Sequence, residues 1–467
     1  MLLLLHSDER DAVARVQQAA SELQLDVQLL NYATQSPIEL AVAALQGLTE
    51  QAKRQVLILP LGDILLRNQG IVRFLVEKLV DLERIGHSVV LLSVVPVQCV
   101  ELARDLAVLH LPLPGVAELQ PLVNAAFSGS ALDVHAGVQA LRGLTQGQAR
   151  RALRRIRQQG LQPTAIDELQ GEKRDLIAQG GVLDLVENLG DATQVGGLDA
   201  VKEWLHRRRR ALQQPARDYG LPMPRGVLVL GVQGCGKSLI VKASAQILGL
   251  PLVRLDIGRL YAADRAPDEL LRQALAVAEA MAPVVLWLDE IDKAFSTAAT
   301  TPSEEGARIF GSFLTWLGEQ RAGVFVAATA NRVEHLPPEL VRKGRFDEMF
   351  FVDLPDSAVR SEILAIQLRR SGRNPAIYDL QQLANKADRL TGAEIEQAVT
   401  ESLANAFSQD REMTTADIAA ALAKTVPFVE TYEPQVQALR QWARHRCKPA
   451  THDRSLRELY LSALDER

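Results

Sequence analysis

The chain is poor in several things that would otherwise decide its class. Its three cysteines, Cys99, Cys235 and Cys447, are far apart and match no metal-ligand spacing, which suits a reducing cytoplasm. Its eight histidines form no H-E-x-x-H or other ligand cluster, so no histidine-held metal site is expected. No stretch reaches about 18 consecutive apolar residues, so no membrane-spanning helix is expected. The opening Met-Leu-Leu-Leu-Leu-His-Ser-Asp-Glu-Arg has too short an apolar run and no basic region for a signal peptide. A basic excess is missing too: the formal net charge is −5, which argues against bulk electrostatic binding of nucleic acid. The expectation is a soluble, cytoplasmic protein.

What is present is more specific. At 467 residues, 47% of them hydrophobic, the chain has room for several buried cores. Residues Gly231 to Ser238 read Gly-Val-Gln-Gly-Cys-Gly-Lys-Ser and fit the phosphate-loop pattern G-x-x-x-x-G-K-S/T. Before them Val227-Leu228-Val229-Leu230 suits a buried strand, and after them Leu239 begins a helical pattern. The alternative, a plain glycine-rich turn, does not require that strand–loop–helix context. In the loop, backbone N–H groups of Gln233, Gly234, Cys235 and Gly236 are free to wrap phosphate oxygens, aided by the helix N-terminus. Lys237 can reach the outer phosphates and the Ser238 hydroxyl can ligate Mg²⁺.

Taken in order, residues 1–135 alternate apolar runs with helical patterns. Leu2–Leu5, Arg54–Leu59 and Ser88–Leu92 read as strands of a parallel α/β sheet, and Ser7 reads as a helix cap. No phosphate loop occurs here. Residues 136–190 read as helical, and the basic run Ala149–Arg157 reads first as a solvated helix face, with a nucleic-acid surface as the alternative. A second basic run, His206–Arg210, points around most of a helix and so makes no single groove-facing stripe. Residues 191–355 read as a second α/β domain with strands at Leu252–Asp256, Val284–Leu288, Val324–Ala328 and Met349–Val352. Ser296–Gly306 reads as a mobile loop. Helical patterns at Ile363–Arg370, Leu380–Arg389, Gly392–Ser408 and Thr415–Lys424 make residues 356–430 a helical lid, with a helical extension over 431–467.

Two further features complete the chemistry. The strand Val284–Leu288 ends in Asp289-Glu290, where one carboxylate can hold Mg²⁺ and the next can polarise an attacking water. Asn331, at the tip of the neighbouring strand, is placed to orient that water or sense the γ-phosphate. Arg342 and Arg345, in Arg-Lys-Gly-Arg-Phe-Asp, have no obvious role within one subunit. Across a subunit boundary they can act as arginine fingers, worth roughly 10³–10⁵ in rate; the plainer alternative is a surface salt bridge. Cys235 sits where positive potential can lower a thiol pKa, although a small loop-filling residue explains it as well.

Val195-Gly196-Gly197-Leu198, the phosphate loop, Leu288–Asp292, Ala328–Arg332, Leu336–Leu340 with Arg342–Asp347, and Thr391–Ile395 together resemble the ordered motif set of AAA+ ATPases. The resemblance covers about Asp191 to Pro427. It implies ATP and Mg²⁺ as ligands, with Val195 and Gly196 at the adenine and Asn331 as sensor 1. It further implies Gly392-Ala393 as the sensor 2 contact and a hexameric ring in which Arg342 and Arg345 act on the next subunit. Over nearly the whole chain the sequence is similar to the AAA+ proteins of cyanobacteria and algal plastids known as hypothetical chloroplast reading frames. That likeness implies a degenerate ATPase-like N-terminal domain, with Leu59-Pro60-Leu61-Gly62-Asp63 in place of the acidic pair and a vestigial lid over Gly143–Gly160. One departure stands out: in Tyr261–Glu269, Asp264 and Arg265 fall where unfoldases of this type carry an aromatic gripping pair. Threading of polypeptide is therefore not implied. The readings in competition are an ATP-driven remodeller of a protein partner, a nucleotide-gated scaffold, and a nucleic-acid motor or clamp loader.

Overall fold

Short leucine- and valine-rich runs can be buried on both faces only if helices cover both sides of the sheet they form. That is what the chain builds twice. The structure, a computed structural model, describes residues 1–452 except 6–7, 33–35, 94–96, 98, 129, 131, 163, 180, 188, 213, 263–265, 295–303, 320–322 and 335. The chain divides into two compact units, Met1–Leu176 and Ile177–Arg467. Among the described residues, no helix is long and apolar enough to cross a membrane.

In the first unit β1 (Leu2–Leu5), α1 (Glu9–Glu22), β2 (Asp26–Leu29), α2 (Pro37–Thr49), β3 (Gln55–Leu59), α3 (Gly62–Arg67), α4 (Gln69–Ile85), β4 (Ser88–Ser93) and β5 (Ala107–His110) follow one another. Their strands form a parallel sheet in the order β2-β3-β4-β1-β5. Strand alternation sorts the core into two layers. Leu3, Leu57, Leu59, Val89 and Leu91 pack with α2 and α4, whereas Leu4, Val56, Ile58, Val90 and Leu92 pack with α1. The edge strands β2 and β5 lie outside the sequence reading because they carry little of that signal: Val108 and Leu109 are half-exposed, and most of β2 is exposed.

A helical cluster follows, built from α5 (Val116–Phe127), α6 (Val134–Leu141), α7 (Gln146–Gln159) and α8 (Ala165–Gln179) around Phe127, Leu141, Leu153 and Leu169. The arginines of α7 face outward while Ala149, Ala152, Leu153 and Ile156 are buried, and Arg155 pairs with Glu172. Ser7, read as the cap of α1, lies outside the described residues; the cap is Asp8, whose Oδ1 accepts from Arg10 N and Asp11 N. Asp8 Oδ2 also accepts from the hydroxyl of Thr145 at 3.1 Å, the residue that caps α7. One carboxylate thus starts α1 and ties down α7.

The second unit begins with β6 (Leu183–Val186), α9 (Asp199–Ala211) and α10 (Gln214–Asp218). Next come β7 (Gly226–Gly231), α11 (Lys237–Leu248), β8 (Leu252–Leu255), α12 (Ile257–Ala262), α13 (Pro267–Met281), β9 (Val284–Leu288), α14 (Ile291–Ala294), α15 (Glu304–Glu319), β10 (Val324–Ala330) and β11 (Glu348–Val352). With a last strand, β12 (Lys448–Pro449), the sheet order is β12-β11-β7-β10-β9-β8-β6. Its five central strands repeat the order of the first sheet, position for position. Trp204 of α9 meets Phe350 edge-on at 5.7 Å on one face of the sheet, and Phe313 of α15 is fully buried on the other.

A four-helix cluster follows: α16 (Ser357–Arg370), α17 (Leu380–Lys386), α18 (Gly392–Phe407) and α19 (Thr415–Lys424), packed around Leu364, Leu368, Ile395 and Ile418. The chain then makes α20 (Phe428–Thr431), α21 (Glu433–Ala443) and β12 (Lys448–Pro449).

Two segments depart from the helical reading. Leu183–Val186 pairs antiparallel with β8, and Lys448–Pro449 adds a parallel edge strand beside β11. Both are too short for their periodicity to show in the sequence; a neighbouring strand edge, rather than local preference, recruits them. Asp264, Arg265 and residues 296–303 lie outside the described residues, while Tyr261 is part-exposed on α12.

The double use of Asp8 sets an expected stability effect. Asp8→Ala removes a helix cap and the bond to Thr145, and should lower the unfolding free energy by about 1–2 kcal/mol. Asp8→Asn keeps the cap and should lose less. Urea unfolding of the two variants checks this; equal stability of Asp8→Ala and wild type would remove the role assigned to the carboxylate.

Candidate functional site

β7 is buried along its whole length and delivers the chain to the glycine loop at the sheet's C-terminal edge. Helix α11 starts at Lys237 behind Gly236, whose φ of +92° lies in the left-handed region where a side chain would be strained. The loop therefore turns sharply and aims the first N–H groups of α11 into a cleft of about 340 Å³. Gln233, Gly234, Cys235, Gly236, Lys237, Ser238 and Leu239 all line that cleft. Lys237 is buried; its Nζ donates to Gly231 O at 2.9 Å and Val232 O at 2.8 Å. Burial lowers its pKa to about 8, against the pull of Asp289, Glu290 and Asp292.

The pairing of β9 with β10, Leu288 opposite Ala328, brings the acidic pair beside the loop. Ser238 Oγ donates to Asp289 Oδ1 at 3.3 Å. Thr329 then locks the pair in place: its hydroxyl donates to Asp289 Oδ1 at 2.6 Å and accepts from Glu290 N at 2.9 Å. Glu290 is held with φ of +48°, a left-handed conformation a non-glycine residue adopts at a cost of roughly 1 kcal/mol. Its carboxylate accepts from Asn331 Nδ2 at 2.9 Å and from Lys293 Nζ at 2.7 Å. Asp292, fully buried, accepts from the backbone N–H of Asn331 and of Arg332, each at 3.1 Å, and burial raises its pKa. Thr329, Asp292 and Lys293 were not singled out as site residues in the sequence. Only the Asp-x-x-Asp spacing of Asp289 and Asp292 offered a signal.

The opposite end of the cleft is lined by Val195 and Gly196 from one side and by Ile363, Ile366, Gln367 and Arg370 of α16 from the other. Gly196 permits this close approach, since a Cβ there would lie 2.8 Å from Ile363 Cγ1. Glu362 fastens the loop by accepting from Gly197 N at 2.8 Å. The start of α18 closes over the phosphate loop: Ala393 N donates to Gly234 O at 3.0 Å, and Gly392 and Ala393 both line the cleft. Thr391 and Glu394 form the capping box that positions this helix end. The α16 residues escaped the sequence reading because nothing local distinguishes them from an ordinary lid core.

Two expectations fare differently. Neither Arg342 nor Arg345 lines this cleft. Arg342 is exposed, whereas Arg345 turns back into its own chain, donating to Leu314 O at 2.6 Å beside Gly318. Cys235 does not have the lowered pKa that the loop's positive potential suggests. Part-buried beside Val232, Val429 and Val436, its thiol is pushed up to about 12, desolvation outweighing Lys237. In the run His206–Arg210, Arg208 is taken up over the Trp204 ring at 5.0 Å.

Residues 227–354 match the ATPase family associated with various cellular activities (AAA). The chain is 38% identical over 353 residues to the uncharacterized AAA domain-containing protein ycf46 of Guillardia theta, covering 73% of this chain and 70% of that protein. It is 37% identical to the ycf46 protein of Gracilaria tenuistipitata var. liui over 386 residues, 79% of this chain and 78% of that one. More distantly, it is 30% identical over 222 residues to the proteasome-activating nucleotidase of Pyrococcus horikoshii (strain ATCC 700860 / DSM 12428 / JCM 9974 / NBRC 100139 / OT-3), 44% of this chain and 54% of that protein. The chain therefore belongs to the AAA family of ATPases, among the ycf46 proteins.

Proposed function

We propose that this chain hydrolyses ATP and uses the cycle to remodel or regulate a protein partner as part of a ring-shaped homo-oligomer, a hexamer by the family resemblance. The observation that carries the reading is the meeting of the phosphate loop, Asp289-Glu290 and Asn331 in one cleft. ATP fits the groups present: the backbone N–H donors of a helix N-terminus, a buried lysine, and an apolar wall with a few polar residues at the far end. The hydroxyl of Ser238 and the carboxylate of Asp289, two hard oxygen donors facing each other, would hold Mg²⁺. Bound there, the ion supplies neutralisation of charge on the phosphate oxygens.

Within this reading the chain's own groups divide the work. Lys237 exchanges its two carbonyl partners for outer phosphate oxygens, whose negative charge favours its protonated form against the desolvation. Glu290 polarises the attacking water, and Asn331, bonded to the same carboxylate, orients it. Val195 and Gly196 receive the adenine, and Gly392-Ala393 bring the lid onto the phosphates. Arg342, exposed, acts on the ATP of the neighbouring subunit. Arg345 braces the segment that carries it through the Leu314 carbonyl. The first unit repeats the strand order and the four-helix sequel without a phosphate loop, which supports a degenerate ATPase-like module.

A nucleotide-gated scaffold is the second reading. What favours it is that Glu290 is held by Lys293 as well as by Asn331, a posture that slows turnover without hindering binding.

Three variants test these assignments. Lys237→Ala should lose ATP binding in equilibrium titration. Glu290→Gln should bind ATP normally while turnover falls roughly 10²–10⁴-fold; unchanged steady-state phosphate release would remove Glu290 from the chemistry. A Glu290→Gln chain that still supports the biological role would favour the scaffold. Arg342→Ala should keep ATP affinity and lose about 10³ in turnover, and the loss should be partly rescued by mixing with Glu290→Gln chains, since each defect lies on a different subunit's site. Full turnover by Arg342→Ala alone would overturn the finger assignment.

A further inference from the structure

We propose that the C-terminal strap, Phe428–Thr451, is a working part of the nucleotide site, supporting its phosphate end and closing its base end. The inference rests on the ATP reading above and deepens it. The strap lies outside the AAA match at residues 227–354 and beyond the motif set read from the sequence.

Its first contact is underneath the phosphate loop. Val429 of α20 and Val436 of α21 are buried against Val232, the residue that follows β7, with Cys235 and Leu354 packed around them. The loop thus rests on the strap, and its amide positions depend on that floor. The second contact is electrostatic. Asp353, just past β11, lines the cleft, yet its side chain is only 6% exposed. Arg440 of α21 grips it with both prongs: Nε donates to Oδ1 at 3.1 Å and Oδ2 at 2.9 Å, and Nη2 to Oδ1 at 2.8 Å. An unpaired carboxylate in this wall would repel a polyphosphate; the guanidinium cancels that charge and fixes the side chain.

The third contact reaches the base end. Beyond β12, Ala450 N donates to Phe351 O at 2.9 Å, and the Ala450 carbonyl accepts from Ala200 N at 3.1 Å and Val201 N at 3.4 Å. Those donors belong to the first turn of α9, whose N-cap position, Leu198, offers no side-chain acceptor. The strap therefore caps the helix that follows Val195 and Gly196, and it leaves Thr451 in the cleft wall beside them. A fourth bond, Phe428 N to Glu394 Oε1 at 2.6 Å, joins the strap to the capping box of α18. Loop, lid and base-binding segment all lean on one stretch of chain. Arg440 is a positioning residue acting through Asp353; Thr451 faces the nucleotide itself.

The test uses the full-length chain. Affinity for a fluorescent ATP analogue and the ATP-induced rise in Tm are measured for wild type, Arg440→Met and Thr451→Val, and amide hydrogen exchange is followed in wild type and Lys237→Ala. We expect roughly tenfold weaker binding for Arg440→Met and a few-fold loss for Thr451→Val. The ATP-induced rise in Tm should shrink with them, a readout that a purely structural defect leaves intact. ATP should slow exchange across Phe428–Thr451 in wild type and have no such effect in Lys237→Ala; this arm holds even if a variant fails to fold. Binding by both variants as tight as wild type, with strap exchange indifferent to ATP, overturns the inference alone. Failure of the wild-type chain to bind the analogue overturns the ATP reading and the inference with it.

Discussion

The hydroxyl of Thr329 is the point on which the site depends. It donates to Asp289 and accepts from the backbone of Glu290, so one small side chain on β10 fixes both carboxylates that follow β9. Asp292 completes the latch from the other direction by accepting the backbone amides of Asn331 and Arg332. Two strand ends are thereby stitched together, and the left-handed turn at Glu290 is held against its strain. Because β10 also pairs with β7, Leu230 opposite Ala330, the same register delivers the phosphate loop to the same edge. Functional geometry here is a consequence of parallel pairing: three strands that end together present three chemistries together.

The first unit has the same strand order without those groups. Its five strands keep the order of the second unit's central five, and its third strand is followed by a left-handed residue, Leu61 at φ of +56°, at the place where the second unit has Glu290 at +48°. Thr145 and Gln148 form a capping box at the start of the third helix after the sheet, as Thr391 and Glu394 do. The two units thus share a backbone turn and a capping box, while the acidic pair and the glycine loop belong to the second.

Much of the fold was legible in the sequence. The buried strands β1, β3, β4, β7, β9, β10 and β11 are apolar runs with clear breaks, and the phosphate loop and the acidic pair are local patterns tied to strand ends. Strands without such a signature were not legible: β2 and β5 are half-exposed edges, and β6 and β12 exist because an edge was available to pair with. Arg345 was read with Arg342 as acting across a subunit boundary; its bond to the Leu314 carbonyl, 31 residues away in the chain, was not legible because only packing brings the two together. For Cys235, the loop's positive potential was visible in the sequence and the desolvation that outweighs it was not.

By itself the sequence determined which groups exist and how the backbone near them turns. Glycines at the loop, a lysine and serine after it, paired carboxylates after an apolar strand, and a capping box before the lid helix are all properties of neighbours in the chain. Only the tertiary structure decided which distant groups share a volume and at what charge. It made Thr329 the clamp of the acidic pair, gave Asp353 its arginine from α21, and set the C-terminal strap beneath the phosphate loop. Local steric preference is encoded within a few residues, whereas desolvation and pairing depend on what packing places alongside.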